Sequence, residues 1–201
     1  MIFLLIALCS SQQVTPVPSP RDGFVLGPVK SNYTIDAFFD HLCTDSAAAF
    51  PGFYQYWQAN QNWLGLRIHI FPLTYHPFSF VVAQAGRYIQ SAYPSKFLSF
   101  MSYMFSHQNL ILNNYMNWDF NTLQNKVALY TQQATGVSFS EVLNALNDQN
   151  VNYSSRVSWK YATSRMVTGT PMYLVNQVLA PEAGSFTTSA QWASFFNSLN
   201  S

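Results

Sequence analysis

The segment TIDAFFDHLCTDS, residues 34–46, changes periodicity partway along its length. Residues 34–40 are β-branched and aromatic, with neither Gly nor Pro, which is the composition of a buried strand. Residues 46–60 then set Ala47, Ala48, Ala49, Phe50, Phe53, Tyr54 and Trp57 on one apolar helical face, with Pro51 inside it as an expected kink. Residues 66–73 (LRIHIFPL) alternate and read as a second strand. Strand, helix, strand predicts a parallel pair joined by a right-handed crossover.

Downstream, helical patterns cover residues 78–92, 95–105 and 122–135, the last closed by Gly136 as a C-cap. Two more start at Ser140 and Ser154. Thr168-Gly169-Thr170-Pro171 then breaks the helical run. MYLV, residues 172–175, reads as a strand, with Asn176-Gln177 turning it into a short partner near Val178-Leu179. Residues 189–199 close the chain as a helix using Trp192, Phe195, Phe196 and Leu199. The pattern is a β-α-β half, a helical insertion over 78–165, and a β-β-α half over 166–201.

Composition bounds the function. Of 201 residues, 49% are hydrophobic and 17% aromatic, enough for a sizeable core. Only 8% are charged, with net charge +1, and no basic stripe exists to suit nucleic acid or an anionic membrane. Two cysteines, Cys9 and Cys43, exclude a disulfide framework and a cysteine-based zinc site. His69 and His76 lack an Asp or Glu close by in sequence, so no metal site is expected. No G-x-S-x-G elbow supports serine hydrolysis.

The N-terminal run IFLLIALC is too short to span a bilayer and reads as the core of a secretory signal peptide covering residues 1–11. Leu8 is too large for a lipoprotein signal at Cys9. Residues 12–30 form a loose Pro/Ser-rich linker and lead-in to the folded part, which begins at residue 31. After signal cleavage no integral membrane segment remains, and Cys43 is the one cysteine left. Asn32-Tyr33-Thr34 and Asn152-Tyr153-Ser154 are sequons, which a secreted eukaryotic protein would carry as glycosylation acceptors. The expected location is outside the cell or in the lumen of the secretory pathway.

The chemistry centres on the strand-to-helix turn. A cysteine at a helix start faces unpaired backbone N–H groups and the positive end of the dipole. Such settings bring cysteine pKa values from about 8.5 to roughly 3.5–7.5. Cys43 is therefore placed either as a reactive thiolate or as a buried structural thiol. His41 and Asp45, two residues to either side, read as a solvated loop residue and a helix-start acid. A protonated His41 would favour the thiolate; Asp45 close to the sulfur would oppose it. The Thr170-Pro171 bond, directly before a strand, is a candidate cis peptide.

These elements together resemble the thioredoxin superfamily, and within it the DsbA-like branch. The resemblance rests on IDAFFDHLCTDS with Pro51 in the following helix, on VTGTPMYLVN at residues 167–176, and on LTYHPFSF at 73–80, where the family enters its helical insertion. It implies a thioredoxin-like α/β fold with a DsbA-type all-helical insertion. It also implies an active-site helix opening at Cys43, Thr44, Asp45 and Ser46, and a substrate-facing cis-proline loop at Thr170 and Pro171. The expected partners are polypeptide clients or glutathione, with no cofactor.

The chain departs from the family at Ser46, which replaces the second cysteine of Cys-X-X-Cys. A dithiol couple needs one sulfur to attack and another to resolve the mixed disulfide, and a hydroxyl cannot resolve it. Three readings follow. One is a monothiol oxidoreductase or isomerase, with Cys43 as nucleophile and Ser46 hydrogen-bonding its thiolate. Another is a redox-inert module that binds through the cis-proline groove. The third is a relative of the kappa glutathione transferases, weakened because Cys43 stands where those enzymes use serine.

Overall fold

The computed structural model describes residues 17–28 and 30–199. The expected signal peptide, with Cys9, lies outside the described residues. The sheet has five strands: β1 (Phe24–Leu26), β2 (Tyr33–Phe39), β3 (Leu64–Ile70), β4 (Met172–Val175) and β5 (Val178–Leu179). Their spatial order is β1-β3-β2-β4-β5, with β2 and β3 parallel and every other pairing antiparallel. Between β2 and β3 runs α1 (Thr44–Asn60), continuous through the exposed Pro51. Between β3 and β4 come α2 (Ser79–Ala92), α3 (Phe97–Ser106), α4 (Asn109–Leu112), α5 (Phe120–Thr135), α6 (Phe139–Leu146) and α7 (Gln149–Ser164). The chain closes with α8 (Ser189–Leu199). This is a thioredoxin-like α/β fold with a helical insertion.

Strand alternation sorts the core into two parts. Ile35, Ala37 and Phe39 of β2, with Leu64, Leu66, Ile68 and Ile70 of β3, join a large apolar core that α1, α2, α3 and α8 complete. The intervening residues face the other way. There Phe38, Phe71, Leu73 and Leu174 form a smaller cluster with Ala162 of α7, and Cys43 belongs to it. Alternation thus gives one thoroughly apolar sheet face and one that mixes Phe38 with Asp36, Arg67 and His69.

Local chemistry sets the element ends. Asp119, Ser138 and Asp148 are side-chain N-caps of α5, α6 and α7. Gly136, at φ 72°, ends α5 as the sequence predicts. Asn176 and Gln177, at φ 48° and 69°, turn β4 into β5. At Gly52, a Cβ would run into the Thr187 carbonyl, so only glycine lets the lead-in to α8 lie this close to α1. Trp192 of α8 is buried against Phe53, Tyr173 and Phe186.

The lead-in is not wholly loose, as its composition suggests. Its Phe24–Leu26 pairs with β3 as an edge strand, and Asp22 just before it is buried.

Candidate functional site

Cys43 is the N-cap of α1, in extended backbone at φ −79° and ψ 121°. Its N–H donates to the Asp40 carbonyl (3.1 Å), and its carbonyl accepts from Ala47 N–H (3.1 Å). Cys43 is 5% exposed as a residue and counts as buried. Its Sγ donates to the Thr170 carbonyl at 3.2 Å. The Thr170–Pro171 peptide is cis. The fold therefore brings together Cys43, Thr170 and Pro171, which lie far apart in sequence.

Ser46 is fully buried in the first turn of α1, and its Oγ has no hydrogen-bond partner among the described residues. The expected Ser46 hydrogen bond to the Cys43 sulfur is absent: the sulfur's proton goes to the Thr170 carbonyl instead. Thr170 Oγ1 is likewise buried without a partner among the described residues. Thr44 and Asp45 are exposed on the first turn of α1, where the Asp45 charge favours the helix dipole.

His41 is not a solvated loop residue. It is buried against Phe100 (5.1 Å) and Phe105 (5.9 Å), with Nε2 unpartnered among the described residues. Burial pulls its pKa down to about 4, against the smaller upward pull of the Asp40 charge. At neutral pH it is an uncharged imidazole and supplies no positive charge to a thiolate. The backbone around it is held by Gln108, whose Nε2 donates to the carbonyls of His41 (2.9 Å) and Cys43 (2.8 Å).

Two carboxylate systems flank the turn, and neither stands out in the sequence. Asp40 is wholly buried and collects four donors: Leu42 N–H (2.9 Å), Leu73 N–H (3.0 Å), His76 Nδ1 (2.7 Å) and Ser79 Oγ. It ties the Cys43 turn to the loop after β3. Asp22, His69 and Asp36 form the second system. His69 Nδ1 lies 2.7 Å from Asp22 and Nε2 3.0 Å from Asp36, so both ring nitrogens donate and the ring is an imidazolium. Burial pulls His69 toward the neutral form, but its hydrogen bonds to the two carboxylates and their charges outweigh this and raise its pKa. Burial likewise favours neutral Asp22 and Asp36. His69 overrides it, with the Arg87 charge assisting at Asp22, and both pKa values fall. Arg87 donates to Asp22 (2.8 Å) and Gln177 to Asp36 (2.6 Å). Phe38, which shares the small cluster with Cys43, stacks on the His69 ring at 4.4 Å.

The signal for this second system was present. Asp36 is an acid set between Ile35 and Ala37 in a buried strand, and His69 sits between Ile68 and Ile70 in the parallel strand. The two histidines have their carboxylates from distant segments rather than from neighbouring residues. Of the sequons, Asn32 is exposed ahead of β2 and Asn152 is half-buried in the first turn of α7.

No family model matches the chain, and no curated protein is found similar to it. Solved structures do match. A Pseudomonas syringae protein assigned as a protein-disulfide isomerase aligns with TM-score 0.72 at 18% identity, over 86% of this chain and 97% of its own. BdbD of Bacillus subtilis aligns with TM-score 0.70 at 13% identity, over 88% and 91%. A protein-disulfide isomerase of Novosphingobium aromaticivorans aligns with TM-score 0.66 at 14% identity, over 88% and 97%. At these identities the match speaks for the fold. No described helix is long and apolar enough to cross a membrane. The chain has the DsbA-like thioredoxin fold, with its helical insertion set between the two halves of the sheet.

Proposed function

We propose that this chain is a secreted or luminal DsbA-like protein that exchanges disulfides through one sulfur, Cys43. The observation that carries the reading is the placement of Cys43 Sγ, at the start of α1 and 3.2 Å from the Thr170 carbonyl beside cis-Pro171. In the proposed step the Cys43 thiolate attacks one sulfur of a client or glutathione disulfide. The new S–S bond forms as the old one breaks, and the departing thiolate takes up a proton. An external thiol such as glutathione then attacks the mixed disulfide and releases Cys43. Thiols and disulfides are exchanged without net oxidation, which suits a chain in which Ser46 replaces the resolving sulfur.

The second reading is a redox-inert module that binds polypeptide along the same loop. The burial of Cys43 favours it, because a thiol on a buried residue must be uncovered before it can attack. Glycosylation at Asn32 and Asn152 accompanies the secretory location in either case.

The test is mass spectrometry of the native mature protein after incubation with glutathione disulfide. One glutathione on Cys43, removable by reduced glutathione and absent in Cys43→Ala, supports exchange. Labelling only after unfolding leaves the binding module.

A further inference from the structure

Between the loop after β3 and helix α7 lies a groove of about 410 Å³. Phe78, Phe80 and Trp159 supply its apolar walls, and His76, Arg156 and Lys160 its polar groups. The wall is preformed: Trp159 Nε1 donates to the Pro72 carbonyl at 3.2 Å, and its ring stacks on Phe71 at 5.8 Å. Arg156 and Lys160 stand four residues apart on α7, so they share one helix face. Neither has an ion-pair partner among the described residues, and no described acidic side chain lines the groove.

His76 also lines the groove. The Asp40 carboxylate accepts from its Nδ1, so the proton sits there and Nε2 is the nitrogen left for a ligand. Among the described residues Nε2 has no hydrogen-bond partner. In a chain with nine Lys and Arg in all, two cations without ion-pair partners among the described residues on one apolar groove form a concentrated anion-seeking feature. The volume and the few convergent polar groups on apolar walls match a small-molecule site.

We propose that this groove binds an organic monoanion, with its carboxylate at Arg156 and Lys160 and its aromatic or aliphatic body against Phe78, Phe80 and Trp159. The proposal needs no exchange at Cys43 and holds whether or not that sulfur reacts. Two sources carry this chemistry: a free organic acid, and a polypeptide ending in an apolar residue.

The test is calorimetric titration of the mature protein with 4-phenylbutyrate and with its neutral amide. The acid should bind at least tenfold more tightly than the amide. The double variant Arg156→Gln/Lys160→Gln should reduce the acid to the amide's affinity, with an unchanged melting temperature. A peptide ending in free Phe that displaces the acid, while its amidated form does not, assigns the site to a chain terminus. Displacement by other free acids alone assigns it to a small molecule. Equal binding of acid and amide, undiminished acid binding by the double variant, or no binding of the acid would each overturn the proposal.

Discussion

Replacing His41 by Phe should change the shape of the pH–stability curve rather than only its height. The imidazole is buried between Phe100 and Phe105, and its pKa falls from an unfolded value of 6.5 to about 4. The unfolded chain therefore takes up a proton at a pH where the folded chain refuses it. Stability contributed by neutral His41 is complete above pH 6.5 and is lost as pH falls toward about 4. Each pKa unit is worth about 1.4 kcal/mol, so wild type should lose about 2.5 kcal/mol through this one group between about pH 7.5 and 4.5. Phe carries no proton and keeps the ring packing, and Gln108 still reaches the backbone carbonyl. The assay is urea unfolding of both proteins at several pH values in that window. Asp22, Asp36 and His69 titrate in both chains, so their effects cancel in the difference. The difference should move in favour of the variant by about 2–3 kcal/mol as pH falls. Parallel curves, with a constant offset, would refute the reasoning, because His41 would then titrate alike in both states.

Three further substitutions address other parts of the structure. His69→Leu should cost about 3–5 kcal/mol in urea unfolding, because it leaves Asp22 and Asp36 as buried carboxylates without their shared cation. Gln108→Ala strips the buried carbonyls of His41 and Cys43 of a donor. It should lose about 2 kcal/mol and speed alkylation of Cys43 in the native protein by about tenfold or more, read by iodoacetamide labelling rates. Trp192→Ala should cost about 3–5 kcal/mol of unfolding free energy by undoing the contact of α8 with α1, and near-ultraviolet circular dichroism should report the loss.

The pieces legible in the sequence are those in which local pattern and tertiary role agree. The strand MYLV, the Asn176-Gln177 turn and the C-terminal helix at 189–199 fall where alternation, turn chemistry and helical spacing put them. The start of α7 was harder to read. Its first turns are polar, and the boundary is marked only by the Asp148 cap, ahead of the Ser154 start that the apolar spacing suggests. β1 hides in a Pro-rich segment because what fixes it is pairing with β3 and the ionic contacts of Asp22, none of which is local. At the site, the approach of Cys43 to Thr170 and Pro171 was implied by the resemblance to DsbA-like proteins; nothing local in the sequence brings residues so far apart together. The misreading of His41 has a physical cause. A loop between strand and helix is usually solvated, and only the folding of α3 over it, with Phe100 and Phe105, makes this one part of the core.

The Asp22–His69–Asp36 arrangement also bears on how such a sequence can change over generations. Its members come from the lead-in, β2 and β3, with Arg87 from α2 and Gln177 from the β4–β5 turn. Loss of any one charge strands another in a dry interior, so single-letter departures are costly, whereas a wholesale exchange for apolar side chains of similar volume is tolerable. Related chains should accordingly fall into two groups, one keeping the set intact and one lacking it altogether, with few sequences in between. The lead-in segment, which composition alone marks as expendable, is then inherited together with the centre of the sheet.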